Sequence, residues 1–116
     1  MGQPVYKILT KSALVAARAQ GLFGGSPVDL RDGFIHLSAG RQVAGTLAAH
    51  FAGETGLVLL AIDSEVLGDR LQWEQSRGGE LFPHLYGPLD LKHVVAVDDI
   101  PLDEDGRHLL PAGVAA

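Results

Sequence analysis

LVLLAID, residues 57–63, sets six consecutive apolar residues, Leu57 to Ile62, ahead of a closing Asp63. A continuous apolar run of strand length reads as a central strand covered on both faces. Upstream, Val5-Tyr6-Lys7-Ile8-Leu9 is β-rich and partly alternating. Thr10 or Ser12 then offers an N-cap to an Ala-rich helix, Ala13 to Gln20, with Gly21 as its C-cap. The segment GLFGGSPVDLRDG, 21–33, carries four glycines and a proline, which predicts an ordered but irregular loop. Phe34 to Leu37 follows as a strand. Ser38 is placed to cap a second helix whose stripe is Val43, Leu47 and Phe51, and Gly53 or Gly56 ends it. Beyond the central run come a turn-like DSEVLGD, a short strand Leu71 to Glu74, a Gly-punctuated loop to Leu85-Tyr86-Gly87, and a last strand His93 to Val97.

Two helices early and strands mostly late predict an α+β domain on a curved, largely antiparallel sheet, not an alternating βαβ unit. One domain is expected over 1–100, with an acidic, fraying tail over 101–116. At 116 residues the chain is long enough to bury a core without staples, and it has no cysteine for a disulfide or thiolate site. No basic flank and apolar run of a signal peptide, and no run of membrane-spanning length, opens the chain, so a soluble, cytoplasmic protein is expected. The net charge of −5, with nine scattered basic residues, argues against nonspecific attraction to nucleic acid. Neither G-x-G-x-x-G after a strand nor G-x-x-x-x-G-K-[ST] occurs.

Two constellations carry candidate chemistry. In DGFIHLS, 32–38, Phe34, His36 and Ser38 share one strand face while Ile35 and Leu37 share the other. A neutral imidazole both donates and accepts, which suits a ribose hydroxyl; a satisfied core histidine and a capping serine are the plainer readings. Asp29 and Asp32 flank Arg31 just before it, as turn-forming residues or as the frame of a ligand loop. The second constellation, WEQSRGGELFPHLYG, 73–87, holds the only tryptophan, one of two tyrosines, an acid, a guanidinium and a histidine. Aromatic faces can sandwich a planar ring, Arg77 beside two glycines can hold an anion, and Glu74 can stabilise a cationic centre. The structural alternative makes Phe82 and Tyr86 core and pairs Glu74 with Arg77. The five histidines show no H-x-x-x-H or H-x-H spacing, so no metal site is expected. The acidic run Asp98 to Asp105 reads as solvated.

The series VYKI, GLFGGSPVDLRDGFIHLS, QV, LVLLAID and LQWEQSRGGELFPHLYGPL resembles the bacterial domain-of-unknown-function-952 family over about Tyr6 to Val97. By resemblance this implies an ADP-ribosyltransferase-like fold, a split and mostly antiparallel sheet binding NAD, similar to the NAD-dependent RNA 2′-phosphotransferases. In that comparison His36 falls at the later histidine of the second strand and Phe34 at the earlier. Lys7 departs from the pattern, standing where His or Arg would hold a ribose, and lysine is a point charge without their two-faced or forked bonding. The resemblance and the loop together give His36, Glu74 and Arg77 as catalytic candidates. Tyr6, Lys7, Phe34, Ser38, Trp73, His84 and Tyr86 are the candidates for binding NAD. The implied activity is an NAD-dependent transferase of ADP-ribosyl or phosphotransferase type. A non-catalytic nucleotide or ADP-ribose module and a protein-interaction domain are the alternatives. A small nucleotide-like ligand fits the acidic balance better than RNA does.

Overall fold

The computed structural model describes residues 3–114. The chain runs β1 (Pro4–Thr10), α1 (Lys11–Gln20), β2 (Leu22–Phe23), α2 (Pro27–Asp32), β3 (Ile35–His36), β4 (Ser38–Ala39) and α3 (Val43–His50). It continues through β5 (Leu57–Asp63), β6 (Leu71–Gln75), β7 (Leu81–Leu85), β8 (Leu89–Asp90) and β9 (Val94–Ile100), with short 3-10 turns between. The strands form a four-stranded sheet of order β4-β1-β5-β9, a three-stranded sheet β3-β7-β6 and the pair β2-β8. Each recorded strand pairing is antiparallel.

The LVLLAID run is β5, central as expected, and its burial explains its composition. Val58, Leu60 and Ile62 enter a core cluster with Val5, Leu9, Leu14, Phe23, Ile35, Leu37 and Leu85. Leu57 and Leu59 enter a second cluster on the other face, with Tyr6, Ile8, Val43, Leu47 and Ile100. Both faces are apolar because both are covered, and here that happens in an antiparallel sheet. The first helix begins at Lys11, with Thr10 Oγ1 accepting from Ala13 N at 3.1 Å and Gly21 closing it in the left-handed region at φ 78°.

Four local expectations are corrected. The 21–33 loop contains β2 and a third helix, α2, started by Pro27 after Ser26. The strand expected over Phe34–Leu37 divides: β3 belongs to the three-stranded sheet and β4 to the four-stranded one, with Leu37 between them donating its N–H to Pro83 O at 3.0 Å. Ser38 is therefore a strand residue and not a helix cap. The second expected helix starts at Val43 after a 3-10 turn, and it ends at His50, before Gly53. Buried Gln42 ties this junction to β7: its Oε1 accepts from Ala39 N at 2.9 Å, and its Nε2 donates to Leu81 O at 2.8 Å and Glu80 Oε1 at 2.9 Å.

Residues 101–114 pack instead of fraying; residues 115 and 116 of the expected tail lie outside the described range. Leu102 bridges His108, His108 Nε2 bonds Glu54 O at 2.9 Å, and Val114 is buried beside Tyr6 in the second core cluster. The apolar Leu110 and Val114 supply what the acidic stretch before them lacks. The segment seats so closely on Gly40 that a Cβ there would lie 2.5 Å from Val114 O. Gly40→Ala is expected to destabilise the fold by about 1–3 kcal/mol through this overlap. In urea unfolding, deletion of residues 110–116 costs less in the Gly40→Ala background than in the wild type, because the two changes act on one contact.

Candidate functional site

The shortness of β4 makes the site. It pairs only with Val5 and Tyr6, so the edge of β1 from Lys7 to Thr10 that faces away from β5 has no strand beside it among the described residues. A cleft of about 760 Å³ opens along that edge, walled by α2 on one side and by α3 with the β6–β7 hairpin on the other. Its lining includes Lys7, Asp32, His36, Ser38, Thr46, Arg77, Phe82 and His84.

Beneath α2 lies a buried carboxylate that gathers three elements. Asp29 Oδ2 accepts from Ser26 N at 2.8 Å, the carboxylate arm of a capping box. Oδ1 accepts from His36 N at 3.0 Å and His36 Nδ1 at 2.7 Å, and Lys7 Nζ stands 3.0 Å from Oδ2. Lys7 Nζ also donates to His36 O at 3.1 Å. The Lys7 and Asp29 side chains are 7% and 1% exposed. Burial works to raise the Asp29 carboxyl, but the Lys7 charge and the donors from His36 and Ser26 outweigh it and hold it at about 2. Burial lowers the Lys7 ammonium from its ordinary value while Asp29 opposes the shift. The remaining nitrogen of His36, Nε2, lies 2.9 Å from Asp32 Oδ2. Carboxylates only accept, so His36 makes both bonds together only as an imidazolium.

A second carboxylate–histidine pair sits across the strand register. His36 on β3 is directly opposite His84 on β7, with ring centroids 5.6 Å apart. Glu74 Oε1 receives His84 Nδ1 at 2.7 Å and the Tyr86 hydroxyl at 2.8 Å. These donors, His84 first, hold Glu74 below the usual carboxylate range, and the same contact raises Tyr86. Phe34 stacks on His84 with centroids 4.0 Å apart and planes 23° apart, fixing the ring from its face.

At the opposite wall Arg77 lies over the Phe82 ring at 4.9 Å and reaches Thr46 Oγ1 on α3 at 3.4 Å. Gly45 leaves room for it, since a Cβ there would stand 2.9 Å from the Arg77 guanidinium. Thr46 Oγ1 donates to Gln42 O at 3.1 Å, so in its 2.9 Å contact with Ser38 the serine hydroxyl is the donor. Ser38 therefore presents lone pairs to the cleft.

Of the residues expected from sequence, Tyr6, Lys7, His36, Ser38, Arg77 and His84 line the cleft. Lys7 does so while committed to Asp29, and Tyr6 is mostly buried in the second core cluster. Glu74, Tyr86 and Phe34 stand behind His84 and do not line it. Glu74 is not paired with Arg77. Trp73 does not join them: it registers with Pro83, on the face opposite Glu74 and Phe82, and is 45% exposed. The sequence left Asp29 open between a turn residue and the frame of a ligand loop, and gave no sign of Thr46. Ser26-Pro27-Val28-Asp29 was the available sign for Asp29, since a serine three before an acid is a capping box. His50 lines the cleft from the exposed end of α3. No group of three or more His, Asp or Glu suited to a metal occurs among the described residues.

Asp29→Asn leaves the Lys7 charge buried without a counter-charge, bonded to the His36 carbonyl, and is expected to cost about 3–5 kcal/mol, part of it recovered by adding Lys7→Met. The folded Asp29 titrates near 2, below the unfolded value of about 3.9. Its contribution, about 2 kcal/mol, is therefore complete above about pH 5 and lost as the pH falls toward 2. Urea midpoints between pH 6 and pH 2 should show this loss in the wild type and a shallower fall in Asp29→Asn.

No curated protein matches the chain. Among solved structures, the crystal structure of protein CC0527 from Caulobacter crescentus is 52% identical, with 97% of this chain and 99% of that one covered at a TM-score of 0.91. The solution NMR structure of CC0527 is 54% identical over 91% of each chain, at a TM-score of 0.83. The family model described as "Protein of unknown function (DUF952)" matches residues 8–97. That span takes in β1 from Ile8, the buried Asp29, the cleft histidines His36, His50 and His84 and the β6–β7 hairpin, and the chain belongs to the DUF952 family.

Proposed function

We propose that the cleft binds a nucleotide-like ligand, that the ligand is NAD, and that the protein is an ADP-ribosyltransferase-like enzyme acting on the nicotinamide–ribose bond. The observation that carries this reading is convergence: Arg77, His36, His84 and the open edge of β1 surround one cleft of about 760 Å³. Three features of the cleft match three parts of such a ligand. The exposed Arg77 guanidinium, already oriented by Phe82 and Thr46, offers forked donors to a phosphate. The unpaired edge of β1 offers backbone donors and acceptors, which a carboxamide can satisfy on both its sides. Leu9, Phe23 and Phe82 supply apolar wall for a planar ring. A protein carrying −5 net charge accommodates a small ligand more readily than an RNA acceptor.

A second reading, a binding module without turnover, is favoured by one contact. Lys7, standing where the resemblance expects a ribose-holding group, is held by Asp29 and the His36 carbonyl. Calorimetry with NAD and with ADP-ribose, beside chromatography for released nicotinamide, separates the two. Binding with release supports the enzyme, binding without release supports the module, and silence to both ligands removes both. Arg77→Ala is expected to weaken NAD binding about tenfold or more, the loss of a charge-assisted contact.

A further inference from the structure

We infer that His84 is the general base of this cleft and that its substrate class is a hydroxyl acceptor, with Glu74 as the residue that positions it. The inference rests on the reading of the cleft as an NAD-cleaving site and adds to it the acceptor and the group that activates it.

The argument starts from which ring nitrogen is free. His36 has carboxylates on both nitrogens, at 2.7 Å and 2.9 Å, so it has no lone pair to offer while those bonds hold. His84 has one carboxylate only. Glu74 accepts from Nδ1 at 2.7 Å, which leaves Nε2 as the acceptor nitrogen of a neutral ring. No protein partner is recorded for Nε2, the His84 side chain is 5% exposed, and the residue lines the cleft. The orphaned buried side-chain atom among the described residues is His93 Nδ1, so His84 Nε2 is not sealed in protein, and the residue that carries it lines the cleft. His50 also reaches the cleft, but no recorded hydrogen bond orients it.

A nearly buried imidazole, face-packed by Phe34 and end-held by a carboxylate, has the arrangement of base and orienting group that proton abstraction needs. The charged and titratable groups facing it are Glu74 from β6, Tyr86 beyond β7 and His36 from β3. The chemistry selects the acceptor. A carboxylate acceptor carries no proton to remove, and an arginine acceptor would need a free carboxylate in the cleft, whereas Asp29, Asp32 and Glu74 are each bonded to a histidine, Asp32 to Arg31 as well. A hydroxyl, water included, gives its proton to a base with a free lone pair, which His84 Nε2 of the neutral ring supplies. His84 Nε2 takes the hydroxyl proton as the acceptor oxygen bonds to the anomeric carbon. The bond from that carbon to the nicotinamide nitrogen breaks, and nicotinamide leaves neutral with the electron pair. The imidazolium formed is stabilised by Glu74 and returns its proton to water.

The test has two readouts. In ¹⁵N-labelled wild-type protein without ligand at pH 8, long-range nitrogen–proton spectra should show His84 as the Nδ1–H tautomer, and Glu74→Gln should disperse that preference. With NAD and methanol as probe acceptor, mass spectrometry should find methyl ADP-riboside. His84→Asn should lower kcat about 100-fold or more while the NAD dissociation constant stays within about fivefold, and Glu74→Gln should lower kcat about tenfold. An Nε2–H tautomer in the wild type overturns the assignment whatever the variants do. Wild-type turnover matched by His84→Asn overturns it while leaving the NAD reading intact. Absence of NAD binding to wild-type protein overturns that reading and the acceptor with it.

Discussion

The buried carboxylate of Asp29 is the constraint on which the cleft depends. It accepts from a helix start, a strand backbone, an imidazole and an ammonium, joining α2, β3 and β1 at one point. A buried ion pair is weak evidence for net stability, since taking both charges from water offsets most of their attraction. What it supplies here is position. Six residues make a marginal helix in isolation, and α2 begins just after Gly24-Gly25. Asp29 caps it and pins it to Lys7, so the wall of the cleft stands where the ladder of β1 puts it.

The ion pair in turn requires the odd parity of β1. Val5, Lys7 and Leu9 point to one core cluster and Tyr6 and Ile8 to the other. A lysine on that face of a fully paired strand would be a defect. It is tolerated because β4 stops after two residues, leaving space in which α2 can bring a carboxylate to the ammonium. The same short strand opens the cleft, so the partner of Lys7 and the entrance to the site have one cause. Gln42, with its amide bonded on both sides, holds the sheet change that makes β4 short.

What sequence revealed follows from which forces act locally. β5 was legible because both its faces are apolar, and α1 because Thr10 and Gly21 mark its ends. Alternation along Phe34 to Ser38 also held through the change of sheet: Ile35 and Leu37 are core while His36 and Ser38 face the cleft. The change of sheet itself was not legible, because strand pairing is a tertiary choice that leaves parity untouched. Helix α2 was hidden because tertiary capping, not periodicity, sustains it. Trp73 was misplaced for the opposite reason. It adjoins Glu74 in an expected strand, so parity already forbade both from one cleft; compositional density overrode it. Residues 101–114 looked like an acidic tail until Leu110 and Val114 found the second core.

Parity also explains why two histidines of one chain differ in character. His36 and His84 are opposite in register and share a face, so a ligand touching one is within reach of the other. Their carboxylates come from different sides. Asp29 and Asp32 lie on one turn of α2, three residues apart, and bracket His36 at both ends. Glu74 reaches His84 diagonally across a β-hairpin from Gln72, its direct partner, and can meet only the ring edge turned toward β6. A helix can enclose an imidazole because its side chains fan around one turn; a strand neighbour approaches from a single direction. The cleft thereby meets one ring held by carboxylates at both nitrogens beside α2, and one ring held by a carboxylate at Nδ1 on its sheet wall.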